Sequence, residues 1–190
     1  LNSTPRRPNP APAYMVMMIV LVLDQLTKTL VRINIPLNKS IPLLQKLFHD
    51  TFMLVHVNNT GAAFSIGWGS DVFNRYFFIG TTILAVAFIL YLLYHSEHRL
   101  QVVSFGLVLG GAVGNMIDRI IYGGVTDFFS MDFPDFIMDR FPIFNVADSS
   151  IFIAVCLLII DMVFIRDKVT VEPELPAEDL INNEINTKEI

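Results

Sequence analysis

The chain has 190 residues, 53% of them apolar and only 16% charged, with a formal net charge of −5. Residues 1–166 carry 11 basic and 11 acidic residues, whereas residues 167–190 carry 2 and 7, so the tail holds the whole net charge. A neutral, apolar body excludes a nucleic-acid partner and disorder of that body. The single cysteine, Cys156, excludes an internal disulfide or a cysteine-built zinc site.

Residues 1–12 are Pro-rich and read as a flexible N-terminus. Residues 13–33 form the first apolar run, interrupted only by Asp24, Lys28 and Arg32 near its far end. It reads as a span and not as a cleavable signal peptide, because no small-residue cleavage site follows and Asp24 and Lys28 continue the helix. The stretch from Tyr76 to Tyr94 gives 19 uncharged residues and that from Leu100 to Ile117 gives 18 more. A hydrocarbon core of ~30 Å needs ~20 helical residues. Apolar residues lie on every face of these runs, which argues against amphipathic soluble helices. The expected spans are residues 13–33, 73–94, 100–121 and 142–165, within a membrane body of residues 13–166. Residues 95–99 make a tight link, and residues 167–190 read as an acidic, disordered tail. The fold class is therefore an all-α membrane protein with four transmembrane helices. Total basic counts, 6 on the side of the termini against 7 on the other, do not settle orientation; the clustering of Arg6 and Arg7 close to the first helix is what favours cytoplasmic termini.

Two loops fall on the opposite side. Residues 51–57 are β-branched and aromatic and read as a strand, followed by a turn at Asn58-Asn59-Thr60-Gly61. A second strand is expected at residues 125–129, after Gly123-Gly124. There is no internal repeat, which weakens an inverted-repeat transporter.

Ionisable groups in a bilayer are costly, so their positions carry information. Asp24 and Lys28 share one helical face at the outer end of the first span. Asn115, Asp118 and Arg119 share a face at the outer end of the third. Asn145 and Asp148 open the fourth, and Asp127 follows the third by one glycine turn. Three helices thus bring polar groups to one depth. No His-Glu-x-x-His motif is present, and no metal or cofactor is expected. His56 reads as a packing or solvated loop residue, and Cys156 as an inert buried thiol. Aspartates remain. Asp24 has Lys28 one turn on, and Asp118 has Arg119 beside it, so both read as compensated. Asp127 and Asp148 have no adjacent base. Two close carboxylates share a proton, and such a pair can activate water and protonate an attacked amide. That selects Asp127 with Asp148, while Asp132, Asp135 and Asp139 read as solvated charges. A proton-coupled transporter using Asp118 and Asp148 would place its acids near midspan. A non-catalytic scaffold would have no need of two uncompensated aspartates.

Four blocks carry a resemblance: Asp24-Gln25-Leu26-Thr27-Lys28; Asn59-Thr60-Gly61-Ala62-Ala63-Phe64; residues 110–119 with Gly124-Val125-Thr126-Asp127-Phe128; and Phe144-Asn145-Val146-Ala147-Asp148-Ser149. In this order, on a four-helix pattern, the chain resembles the bacterial lipoprotein signal peptidases (signal peptidase II). The resemblance implies a membrane aspartic endopeptidase that cuts signal peptides from diacylglyceryl-modified prolipoproteins, before the lipidated cysteine. It implies catalytic Asp127 and Asp148, supported by Asp24, Lys28, Asn59, Asn115, Asp118, Arg119 and Asn145. It also implies a small extracytoplasmic β-structure with a short helix, a place in the bacterial inner membrane with the site near the outer face, and inhibition by globomycin. Phe64, Trp68 and Phe136 are expected to cover the site. Gly110, Gly111 and Gly114 are expected to permit close helix packing.

Overall fold

The structure, a computed structural model, describes residues 8–43, 51–61, 70–132 and 141–165. Residues 1–158 form one compact unit and residues 159–190 belong to a second. Helix α1 (Ala11–Asn34) carries a proline in its first turn, where the missing N–H has no intrahelical partner to lose. Helix α2 (Asp71–Tyr94) is capped by Ser70, whose side chain accepts from the Phe73 N–H at 3.3 Å. Helix α3 (Arg99–Tyr122) ends at Gly123, whose φ of 82° is a left-handed value that suits glycine. Helix α4 (Val146–Ile160) continues into a π-helical turn at Asp161–Ile165. All four are long and apolar enough to cross a membrane, the last over Val146–Phe164. Their outward faces remain apolar: Leu84 is 72% exposed and Phe152 71%, as expected of side chains that face lipid.

The fourth helix starts later than residue 142. Residues 141–145 are not helical, and Phe144 bridges antiparallel to Phe129. Pro142 and the cap formed by Asn145 explain why an apolar run does not become helix throughout.

Among the described residues, three strands lie between the helices: β1 (Ser40–Pro42), β2 (Phe52–Asn59) and β3 (Val125–Met131). They form an antiparallel sheet in the order β1-β2-β3. Val57 pairs with Asp127 and Asn59 with Val125, with a bulge between Leu54 and Val57. Asn58 and Asn59 therefore belong to the strand, and the chain turns only after them. The underside of the sheet packs on α1 through Val31, Ile35 and Phe128. The short helix implied by the resemblance is not seen among the described residues, and Phe64, Trp68 and Phe136 lie outside them.

Glycines set the helix spacing. A Cβ on Gly106 would lie 2.5 Å from the Ala13 carbonyl oxygen of α1. One on Gly111 would lie 2.5 Å from the Ala147 oxygen of α4, and one on Gly114 2.5 Å from Asp24 Oδ2. Glycines on different faces of α3 thus hold it close to both α1 and α4.

Candidate active site

Asp127 reaches the site because α3 stops at Gly123 and the chain re-emerges as β3. Its side chain is 3% exposed. Asn59 Nδ2 donates to Asp127 Oδ2 at 2.9 Å, and Asn145 Nδ2 donates to Oδ1 at 2.7 Å. Burial pushes the Asp127 carboxyl up to about 7, and the Asp148 charge adds to the rise. The Asn59 and Asn145 amides and the Lys28 charge pull the other way.

Asp148 is placed by the start of α4. Asn145 Oδ1 accepts from the Asp148 N–H at 2.9 Å, and Asp148 Oδ2 accepts from the Asn145 N–H at 3.2 Å. This is a reciprocal capping box, with aspartate in the third helical position. It satisfies two orphan amides and sets the carboxylate at the positive end of the helix dipole. Asn115 Nδ2 of α3 donates to the other oxygen, Oδ1, at 2.9 Å.

Behind the two carboxylates lies a buried charged layer. Lys28, fully buried, pairs with Asp24 at 2.8 Å and Asp118 at 3.6 Å. It also donates to Asn115 Oδ1 at 2.8 Å. Asp24 Oδ1 accepts from the Ala147 N–H at 3.0 Å and so pins the first turn of α4. Asp118 Oδ2 accepts from the Thr126 N–H at 2.9 Å. Its second cation is Arg32, at 3.3 Å, and not the adjacent Arg119. The reading of Asp118 and Arg119 as a pair is corrected here: neighbours in a helix point about 100° apart, so adjacency in sequence does not make contact. Arg119 instead donates to the Gly61 carbonyl at 3.1 Å and lies over the Phe78 ring at 5.0 Å.

The carboxylates open onto a cleft of about 450 Å³ lined by Asn59, Asn115, Arg119, Asp127, Asp148 and apolar residues from Phe141 to Val155. A second hollow of about 440 Å³ adjoins it, sharing Phe141, Phe144, Asp148 and Phe152, and adding Met131 and Ile153. Asp24, Lys28 and Asp118 do not line the cleft, and Asn145 holds the pair from behind. Arg32, Gln25 and Thr126 were not read from the sequence as part of this network. Arg32 could have been found, since it continues the Asp24–Lys28 face by one further turn. Thr126 carries no such signal. His56 is engaged elsewhere, with its Nδ1 2.7 Å from the Ile35 carbonyl. Among the described residues no group of three or more His, Cys, Asp or Glu side chains could hold a metal ion.

Four helices long and apolar enough to cross a membrane, with two carboxylates on one cleft, define the class: a multi-pass membrane protein with a polar site. A family model described as signal peptidase (SPase) II matches residues 16–164. The lipoprotein signal peptidase of Halothermothrix orenii is 41% identical over 148 residues, covering 77% of this chain and 92% of that protein. That of Bacillus subtilis is 39% identical over 150 residues, covering 78% and 91%. A solved bacterial membrane enzyme superposes with a TM-score of 0.75 at 27% identity, covering 91% of this chain and 99% of that one. The chain belongs to the signal peptidase II family.

Proposed function

We propose that this chain works as an aspartic endopeptidase, with Asp127 and Asp148 as its catalytic pair. As a signal peptidase II family member it is a membrane peptidase that removes signal peptides from prolipoproteins. The observation that carries the aspartic reading is the convergence of two carboxylates, from β3 and from the start of α4, on one cleft with amide donors behind each.

The chemistry follows. The pair shares one proton. The ionised carboxylate takes a proton from a water held between the two groups, and the water oxygen attacks the scissile carbonyl carbon. The protonated carboxyl gives its proton to the carbonyl oxygen, so the tetrahedral diol carries no full charge. Collapse breaks the C–N bond. One diol hydroxyl returns its proton to the ionised carboxylate as the carbonyl re-forms, the departing nitrogen takes the proton of the other carboxyl, and one shared proton is left for the next cycle. No covalent enzyme intermediate and no metal enter the sequence. Asn59 and Asn145 hold Asp127, and Asn115 with the capping box holds Asp148, so neither carboxylate must reorganise during the reaction. Arg119, on the cleft wall, is suited to receive a substrate carbonyl.

The substrate is a prolipoprotein whose cysteine already carries diacylglycerol, cut just before that residue. The apolar hollow beside Asp148 suits an acyl chain or an apolar signal-peptide side chain. The cleft lies by the end of α3, at Asn115 and Arg119, and by the start of α4, at Asp148. Arg6 and Arg7 before α1 support cytoplasmic termini, with the cleft near the outer face. The test is cleavage of a diacylglyceryl precursor in detergent. Turnover that persists in EDTA and stops with globomycin supports the reading. Loss on chelation, restored by zinc, overturns it.

A further inference from the structure

Helix α1 supplies none of the described residues lining either hollow, yet it buries Asp24 and Lys28 completely and holds the Arg32 side chain at 15% exposure. Three charged groups turned toward the back of a site need a reason there. Their hydrogen bonds have a fixed polarity. Lys28 can only donate. Asn115 Oδ1 accepts from Lys28 Nζ at 2.8 Å and from Asn145 Nδ2 at 3.2 Å. With its oxygen so engaged, the Asn115 amide must turn its NH₂ outward, where it meets Asp148 Oδ1 at 2.9 Å.

Arg32 acts at a different place. Its Nη1 donates to Thr126 Oγ1 at 2.8 Å and to Asp118 at 3.3 and 3.4 Å. Its guanidinium carbon stands 4.2 Å from the Tyr122 ring centroid. Arg32 therefore touches residues on both sides of the Gly123 turn, Asp118 and Tyr122 before it and Thr126 after it. Thr126 is the residue immediately before Asp127, and Asp118 also holds its N–H. The corner that presents Asp127 is braced from α1.

We propose that Lys28 and Arg32 are positioning residues, with α1 reaching Asp148 through the Asn115 amide and Asp127 through Thr126. The proposal rests on the paired-aspartate reading above. Neither residue touches substrate. Each acts by fixing a group that in turn fixes a carboxylate.

The test is steady-state cleavage of a lipidated precursor by the full chain in detergent, across pH, with Asp127→Asn as control. Lys28→Met and Arg32→Met are each combined with the partner change, Asn115→Leu and Thr126→Val respectively. Positioning predicts that kcat falls by about 10²-fold while KM holds, as for a catalytic group moved by about 1 Å. Each double variant should be no slower than its slower single, because both changes cut the same link. The pH limb belonging to Asp127 should move upward. Lys28→Met removes a cation that favours the ionised carboxyl, and Arg32→Met loosens Asp127 from Asn59 and Asn145, while Asp148 stays to oppose ionisation and Arg119 stays on the cleft wall. Arg32→Lys, which keeps a charged donor, should recover part of the rate. Where a methionine variant does not accumulate, the glutamine variant at that position takes its place. Losses that multiply in the double variants, or lowered melting with unmoved pH limbs and wild-type kcat, would overturn the proposal. If Asp127→Asn itself turns over normally, the paired-aspartate reading fails instead.

Discussion

Replacing Asp127 by asparagine should make the protein more stable at alkaline pH while destroying its activity. A carboxyl lifted by burial from 3.8 to about 7 costs the folded state about 4 kcal/mol once folded and unfolded forms are both ionised. Below about pH 4 both forms hold the proton and the cost is absent. Between about pH 4 and 7 the unfolded chain ionises first, so this group lowers stability as pH rises, and above about 7 its contribution is flat. Asp127→Asn removes that slope. It also introduces a pH-independent penalty. Asn59 Nδ2 and Asn145 Nδ2 both donate to Asp127, and a carboxamide offers them one oxygen instead of two, at a cost of about 1–3 kcal/mol. The variant should be less stable than the parent at pH 4, equal to it somewhere between about pH 4.5 and 6, and more stable by about 1–3 kcal/mol at pH 8. At about 2–4 °C per kcal/mol for a chain of this size, that is a readable shift in detergent melting curves. A difference between parent and variant that stays constant from pH 4 to 8 would refute the claim that Asp127 is a proton-holding buried carboxyl.

Other outcomes follow from the same geometry. Gly111→Ala places a Cβ 2.5 Å from the Ala147 oxygen and 2.6 Å from Ser150 Oγ; melting should fall by the equivalent of about 1–3 kcal/mol, and turnover should drop as the start of α4 shifts. Gly80→Ala meets nothing within 4 Å and should match or exceed the parent in melting, since alanine favours helix by about 1 kcal/mol. Asn59→Ala removes a donor to Asp127 and the cap on the Gly61 N–H; turnover should fall about tenfold or more, with the Asp127 limb moved to higher pH. Cleavage by the parent should decline as pH rises through about 7, where the pair loses its shared proton; a flat profile from pH 6 to 9 would contradict this.

The helices are legible in the sequence because lipid imposes a simple condition: a run of apolar residues long enough to cross. The start of α4 is not, because the same apolar residues, Phe141 and Phe144, serve equally well in a non-helical segment against β3. What ends the ambiguity is the hydrogen bonding of Asn145 and Asp148, which only the folded chain displays. Asp127 and Asp148 stand out as acids without a neighbouring base, and the structure does place them on one cleft. The same reasoning misassigns Arg119, because pairing between helices depends on their rotation and not on adjacency in the chain. The contact between Arg32 and Thr126 shows the limit most clearly. The two lie 94 residues apart, and nothing in either segment announces the other. Strand β1 is similarly silent, being three residues long and held by pairing with β2.

In the proposed reaction two carboxylates act as one unit. The most direct measurement is single-turnover cleavage of a diacylglyceryl precursor by Asp127→Asn and by Asp148→Asn, each shown to be folded by its melting curve. Each should lose about 10²–10⁴-fold in rate, and the double variant should be no slower than the worse single. Near-normal cleavage by either folded single variant would contradict the account.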